Sequence, residues 1–438
     1  MTKRPLALAL SLPLALAACG SSEDPGGGHP TPTPGQEARS DKPYDSAPVV
    51  STEDQAALVA GATDFAMRFH QQVAAAHPGN LIYSPLSIST AVAMLYAGAH
   101  GNTESQMAAA LGYTLPQDRL HPAMNWLGLE LASRAHAPVA EDEHGAPFTL
   151  RIANHVWGQS GFPFADAYLD TLSVSYDAGV GLFDFTTAAE AARVAINGWV
   201  SDETEDRIPE LIGPMDVDAT TKVVLTNAVF FTASWAGPFP ENLTAPASFQ
   251  PLTGAAVTVP TMHKRDDSGC AFAQGEGYLL AELPYVGNQV AMTLLVPDAG
   301  HFAEVEASLT GARLAQMFAA LAPAALDLAL PKFQFDLSVD LQASLEALGM
   351  TDAFSGEADL SGIDGARDLI VSKVLHKATI KVDEHGTEAT AATAVVAGPP
   401  SIPKFIPVTV DRPFLFFLRD RATGAVLFVG RVTDPSAH

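Results

Sequence analysis

Apolar side chains at Leu58, Ala62, Phe65, Phe69 and Val73 recur every three or four positions, which predicts an amphipathic helix ending at His77-Pro78-Gly79. A second helix is predicted to follow Ser84-Pro85 and to run through Ala91, Met94 and Leu95. Farther along, the apolar period shortens to two or the runs become continuous. Strands are therefore predicted over residues 222–231, 290–296, 326–335 and 371–382. A hydrophobic hairpin is predicted from residues 410–418 and 425–432, around the turn Arg421-Ala422-Thr423-Gly424. Helices come mainly first and strands mainly later, without regular alternation, so the fold class is α+β.

One stretch fits neither pattern. From Glu384-His385-Gly386-Thr387-Glu388 the chain runs into small and β-branched residues and stops at Gly398-Pro399-Pro400. As a strand it would put Thr387, Ala389, Ala391, Thr393, Val395 and Ala397 on one face and Glu388 on the other. Small side chains can slip between strands already packed, and β-branched ones favour the pleat. The same composition also suits an Ala/Thr linker or a turn of helix.

Charge narrows the partners. The chain has 24 Lys+Arg against 49 Asp+Glu, a formal charge of −25, which argues against nucleic acid. No basic cluster lies between Leu111 and Arg134, so no heparin-like site is evident. The length and the 47 % hydrophobic content suit one large domain over residues 52–438, with no internal repeat. Residues 1–19 read as an export signal: Lys3 and Arg4 precede an apolar stretch too short to span a bilayer. Leu16-Ala17-Ala18-Cys19 matches a bacterial lipobox, which makes Cys19 the lipidated residue; an ordinary secretory signal is the alternative. Gly20 lacks the aspartate associated with inner-membrane retention, so an outer-membrane or cell-surface address is expected. Residues 20–51, with Gly26-Gly27-Gly28 and Thr31-Pro32-Thr33-Pro34-Gly35, read as a disordered tether. Cys270 then has no disulfide partner and is expected to be a partly buried, inert residue.

Enzyme signatures are missing. No G-x-S-x-G, H-E-x-x-H, C-x-x-C, G-x-G-x-x-G or P-loop occurs, and neither a metal nor a cofactor is expected. Asp383-Glu384-His385 would point in alternate directions in a strand, which makes a shared catalytic site there improbable.

The order strand, small-residue loop and buried hairpin resembles the reactive-loop region of the serpins, the serine protease inhibitor family. Asn80-Leu81-Ile82-Tyr83-Ser84-Pro85-Leu86-Ser87-Ile88 is similar to that family's second-helix opening. Thr226-Asn227-Ala228-Val229-Phe230-Phe231, followed by Trp235 and Pro238-Phe239, is similar to its central strand and loop entry. The resemblance covers roughly residues 52–435. It implies three β-sheets, about nine helices and an exposed reactive loop over about residues 384–410. It further implies a loop hinge at Glu384, Gly386, Thr387, Glu388, Ala389 and Ala391, and a polar cluster of Ser84, Ser87, Asn197 and His376 beneath an opening sheet. Trp235 would stand at the point of loop entry.

By that resemblance the chain is a monomeric suicide-substrate inhibitor. A serine protease, or a cysteine protease, cuts the loop and is trapped covalently as the loop joins the central sheet, touching a membrane only through the N-terminal lipid. Non-inhibitory binding or scaffolding on the same fold is the alternative, and an unrelated exported enzyme a third. The family register puts the severed bond at Pro400-Ser401, an unusual site because most trypsin-like pockets reject proline. Ala397-Gly398 suits an elastase-like enzyme, and Ser401-Ile402 or Ile402-Pro403 would serve a longer loop.

Overall fold

A computed structural model describes residues 36–136, 148–387 and 404–437. Those residues form ten α-helices and three sheets, against the nine or so helices expected.

The central sheet positions the site. Its seven strands are Gln36–Ala38 (β1), Thr149–Gln159 (β2), Val180–Phe183 (β3), Val223–Ser234 (β4), Phe333–Asp340 (β5), Lys373–Val382 (β6) and Gly386–Thr387 (β7). They lie in the order β1-β3-β2-β4-β7-β6-β5. Strand β4 is buried nearly throughout, as its continuous apolar run requires of a strand covered on both faces. Leu225, Val229 and Phe231 face the main core, while Val224 and Ala228 pack with Phe185, Ile196 and Val200 of the helix Phe185–Glu203 in a smaller one. A second seven-stranded sheet holds the C-terminal hairpin Phe414–Asp420 and Val426–Val432, both almost fully buried. The helices Thr52–Ala76 (α1) and Pro85–Tyr96 (α2) contribute Phe65, Phe69, Ile88 and Val92 to the main core.

Two helix boundaries follow local chemistry. Ser51 caps α1 by accepting the Asp54 amide, and Ser84 caps α2 by accepting the Ser87 amide, with Pro85 in the first turn. The strand expected over 326–335 divides in two. Leu326–Pro331 joins a four-stranded sheet and β5 joins the central one, with Lys332 between them. The apolar alternation shifts phase at Pro331-Lys332, from Leu326, Leu328 and Leu330 to Phe333 and Phe335, and that shift coincides with the change of sheet. Cys270 is buried rather than half-exposed, and burial is the main cause that pushes its thiol up to about 12.

The expected tether is shorter than residues 20–51, because the chain joins the fold at Gln36. Strand β1 pairs antiparallel with β3, and the following residues strap two further helices, Gln117–Ser133 (α3) and Asp166–Tyr176 (α4). Arg39 pairs with Asp177, Lys42 Nζ lies 2.7 Å from Asp170, and the Asp45 amide donates to Val174 O at 3.0 Å. Asn125 Nδ2 donates to Asp45 O at 2.7 Å, while its Oδ1 accepts from the Tyr44 hydroxyl at 2.6 Å. The segment lacks apolar bulk, so composition marks it as unfoldable. It is held instead by polar groups whose partners lie far away in sequence.

Asn125 is 3 % exposed and serves both ends of this contact. Replacing it with alanine strands the Asp45 carbonyl and the Tyr44 hydroxyl, at about 1–3 kcal/mol. Asn125→Ala is expected to lower the chemical-denaturation midpoint and to open residues 39–48 to limited proteolysis. An unchanged midpoint would show that the strap contributes nothing.

Candidate functional site

The site is the seam between β4 and β6. These strands run parallel and pair directly from Lys373↔Val224 to Ala378↔Val229. Above Ala378 they splay, and Gly386 and Thr387 fill the gap as β7, antiparallel to both neighbours. Gly386 sits opposite Ser234, and Thr387 sits opposite Ala233 on one side and Val382 on the other. The family resemblance placed Gly386 and Thr387 in an exposed loop outside the sheet. That expectation is wrong for these two residues, which already lie within it, and for Ile406–Thr409, which forms a strand parallel to Leu326–Pro331 in the four-stranded sheet. A Cβ on Gly386 would lie 2.0 Å from the Ala233 carbonyl oxygen, so only glycine lets the chain turn into the gap so close to β4.

The entrance is tied down by polar contacts. The Trp235 amide donates to His385 O at 2.9 Å, and its indole Nε1 donates to Asp383 O at 3.0 Å. Glu384 is 6 % exposed and accepts from Thr244 Oγ1 and Lys332 Nζ, each at 2.7 Å. Burial works to raise the Glu384 carboxyl, but Lys332 and Thr244 outweigh it and hold the group below its ordinary value. His385 Nε2 lies 3.1 Å from Glu241 Oε1. The Trp235 ring stacks on Tyr285, and the Tyr285 hydroxyl lies 2.7 Å from Thr387 Oγ1.

Lower in the seam a polar row crosses three strands. Asn154 on β2 is the register partner of Asn227 on β4, which is the register partner of His376 on β6. Asn227 Nδ2 reaches Ser87 Oγ at 2.5 Å and also Asn154 Oδ1, while Ser87 Oγ donates to Asn154 Oδ1 at 3.2 Å. The Ser84 amide points at His376 Nε2 at 3.3 Å. An amide can only donate, so Nε2 accepts, the ring proton sits on Nδ1, and Nδ1 donates to Asn227 Oδ1. This fixes a neutral imidazole, in accord with the burial that pushes His376 down to about 3.

Of the four residues expected in this cluster, Ser84, Ser87 and His376 come together and Asn197 does not. Asn197 lies on Phe185–Glu203, where it accepts the Leu211 and Ile212 amides at 3.0 and 2.8 Å and donates to Ile212 O. Asn154 and Asn227 occupy the role instead. Asn227 had a legible signal, a lone amide inside a buried apolar strand. Asn154 had none, because its place depends on which strands adjoin.

Glu388, Ala389, Ala391, Ala397, Gly398, Pro400, Ser401 and Cys19 lie outside the described residues. Among the described residues no group of three or more His, Cys, Asp or Glu is placed to hold a metal ion.

Comparison with known proteins agrees with this arrangement. The family model described as Serpin (serine protease inhibitor) matches residues 60–435. Leukocyte elastase inhibitors are similar along most of their length. The Bos taurus protein is 35 % identical over 390 residues, covering 86 % of this chain and 99 % of the relative. The Homo sapiens protein is 34 % identical over 370 residues, covering 82 % and 93 %. Among solved structures, native tengpin, a thermophilic serpin, is 26 % identical with a TM-score of 0.78, over 91 % of this chain and all of that one. Serpin48 of the insect Tenebrio molitor is 28 % identical with a TM-score of 0.75, over 88 % and 99 %.

The neutral His376 carries a pH dependence. Its folded value of about 3 lies below the usual 6.5, so the unfolded chain binds the proton between those limits. Stability of the resting form is therefore complete above pH 6.5 and is lost as the pH falls toward 3, by about 1.4 kcal/mol for each pH step crossed. Buried His121, pushed down to about 4 chiefly by burial, adds in the same direction. Thermal midpoints are expected to drop on acidification below pH 6.5, and to drop less in His376→Gln; equal slopes would place the proton elsewhere.

Proposed function

This chain belongs to the serpin family of serine protease inhibitors, and we propose that it acts as a suicide substrate whose severed loop completes the insertion begun by Gly386 and Thr387. The two-residue wedge carries this reading. A serine protease attacks the loop and forms an acyl-enzyme. The freed strand follows Thr387 into the seam before water can release the protease, adding to the sheet and drawing the enzyme with it. The small faces of Ala389, Ala391, Thr393, Val395 and Ala397 suit that passage. Insertion exchanges one parallel β4–β6 ladder for two antiparallel ones, in the geometry that β7 already adopts. Antiparallel pairing is the stronger per residue, and each hydrogen bond gained is worth about 1 kcal/mol net. The resting form is then held by a barrier rather than by depth.

The target class follows from the bait. We place the severed bond at Pro400-Ser401, fourteen residues past Gly386, with Ala397-Gly398 as the competing site. Proline or alanine at the cut suits a pocket built for small side chains, neither the charged slot of a trypsin-like enzyme nor a deep aromatic one. Relatives named for inhibiting leukocyte elastase support that class. The lipobox supports display on a lipid through Cys19, on an outer membrane or cell surface. Sixteen residues separate Cys19 from Gln36, a reach of at most about 60 Å.

Two experiments test this. The full chain is incubated with elastase-, chymotrypsin- and trypsin-type proteases and a papain-type cysteine protease. An SDS-resistant complex is expected with the elastase type, and the mass of the released C-terminal fragment reads the bond. Thr387→Arg is expected to be cut at the same bond yet to trap at least roughly tenfold less, because burying an unpaired charge costs more than about 1.4 kcal/mol. Cleavage by every enzyme without a complex would falsify inhibition and leave a scaffold. Separately, labelled palmitate is expected to enter the chain and to be lost in Cys19→Ser, which should leave the membrane fraction; an unlabelled parent chain removes the anchor.

A further inference from the structure

Tyr285 lies outside the loop, outside the seam and outside every motif of the sequence, yet its hydroxyl is 2.7 Å from the hydroxyl of Thr387. Neither side chain reaches solvent: Tyr285 is 0 % exposed and Thr387 1 %. The phenol is held in place from three directions. Its backbone is stitched to the end of β4, with Val286 N donating to Ser234 O at 2.9 Å and Ala236 N donating to Pro284 O at 3.0 Å. Its ring lies parallel to Trp235, with centroids 4.5 Å apart and planes 9° apart. Phe231 of β4 meets it edge-on at 5.1 Å. A hydroxyl fixed this rigidly does not adapt to the loop, so the loop must present a matching group.

We propose that Tyr285 is a positioning residue for loop insertion: its hydroxyl selects a hydroxyl at position 387 and holds the first rung of the inserted strand closed in the uncut protein. This rests on the suicide-substrate reading above. Beginning a strand between two others is its slow part, because residues must be ordered before ladder bonds reward them. With Thr387 latched, that rung exists before the protease arrives, and insertion gains against deacylation. Valine at 387 has the same shape but leaves a buried phenol oxygen without its partner. The contact thus gives position 387 a requirement beyond small size.

Tyr285→Phe removes one oxygen and keeps the ring stack. The number of inhibitor molecules cut without trapping, counted per protease trapped, is expected to rise about fivefold, the ratio that one net hydrogen bond supplies, with the rate of initial acylation unchanged. Thr387→Val should do the same, Thr387→Ser should restore the parent value, and the double variant should be no worse than either single one. Additive losses, or an unchanged stoichiometry in Tyr285→Phe, overturn the proposal. Deuterium uptake by residues 383–387 in the uncut protein gives a readout that needs no protease. It is expected to quicken by a similar factor in Tyr285→Phe, and unchanged uptake overturns the proposal. If the parent chain traps nothing, the suicide-substrate reading fails, while the exchange measurement still decides the role of Tyr285.

Discussion

The rest of the molecule depends on the parallel ladder between Val223–Ser234 and Lys373–Val382, the junction of the central sheet where a wedge has already entered. Parallel pairing holds slightly less well per residue than antiparallel pairing, and this seam is flanked by longer antiparallel ladders on both sides. Its midpoint is secured by the row Asn154, Asn227 and His376 beneath the capped start of α2. Hydrogen bonds are directional, so such a row holds the strands in one register and lets go at once when they part. A buried network of this kind is stable only while every member is satisfied, and the neutral His376 tautomer meets that condition.

The top of the seam follows the opposite logic. There the strands are already apart, and the open space is filled by the chain's own hinge. Gly386 passes so close to β4 that no side chain fits, and Thr387 closes the rung under Tyr285. Glu384 is anchored by Lys332 and Thr244, which fixes the base from which the loop departs. Among the described residues, Gly386 and Thr387 are the two that pair between the strands above Ala378.

The far edge of the sheet shows how polar contacts can do what apolar burial usually does. Strand β1 pairs with β3 on the β4 side of the seam, and the residues after it add ion pairs and buried hydrogen bonds to α3 and α4. Residues 36–45 are thereby fastened to that edge of the central sheet. The formal charge of −25 disfavours long-range attraction of polyanions.

Local patterns determined a good deal. The apolar spacing of Leu58, Phe65, Phe69 and Val73 and the Ser84-Pro85 start set two helices within a few residues of where they stand. The hydrophobic hairpin near the C-terminus was equally plain, because periodicity is written into neighbours along the chain. Partners across strands are not. Residues 326–335 read as one strand and serve two sheets, Asn197 stands in a different layer from His376, and Asn154 joined the row only through its register with Asn227. Arg39 to Asp45 looked unable to fold, because their partners lie some 80 to 140 residues away. Which strands adjoin, and how far the hinge enters between them, is decided by packing among distant segments, and such long-range choices leave no period in the sequence.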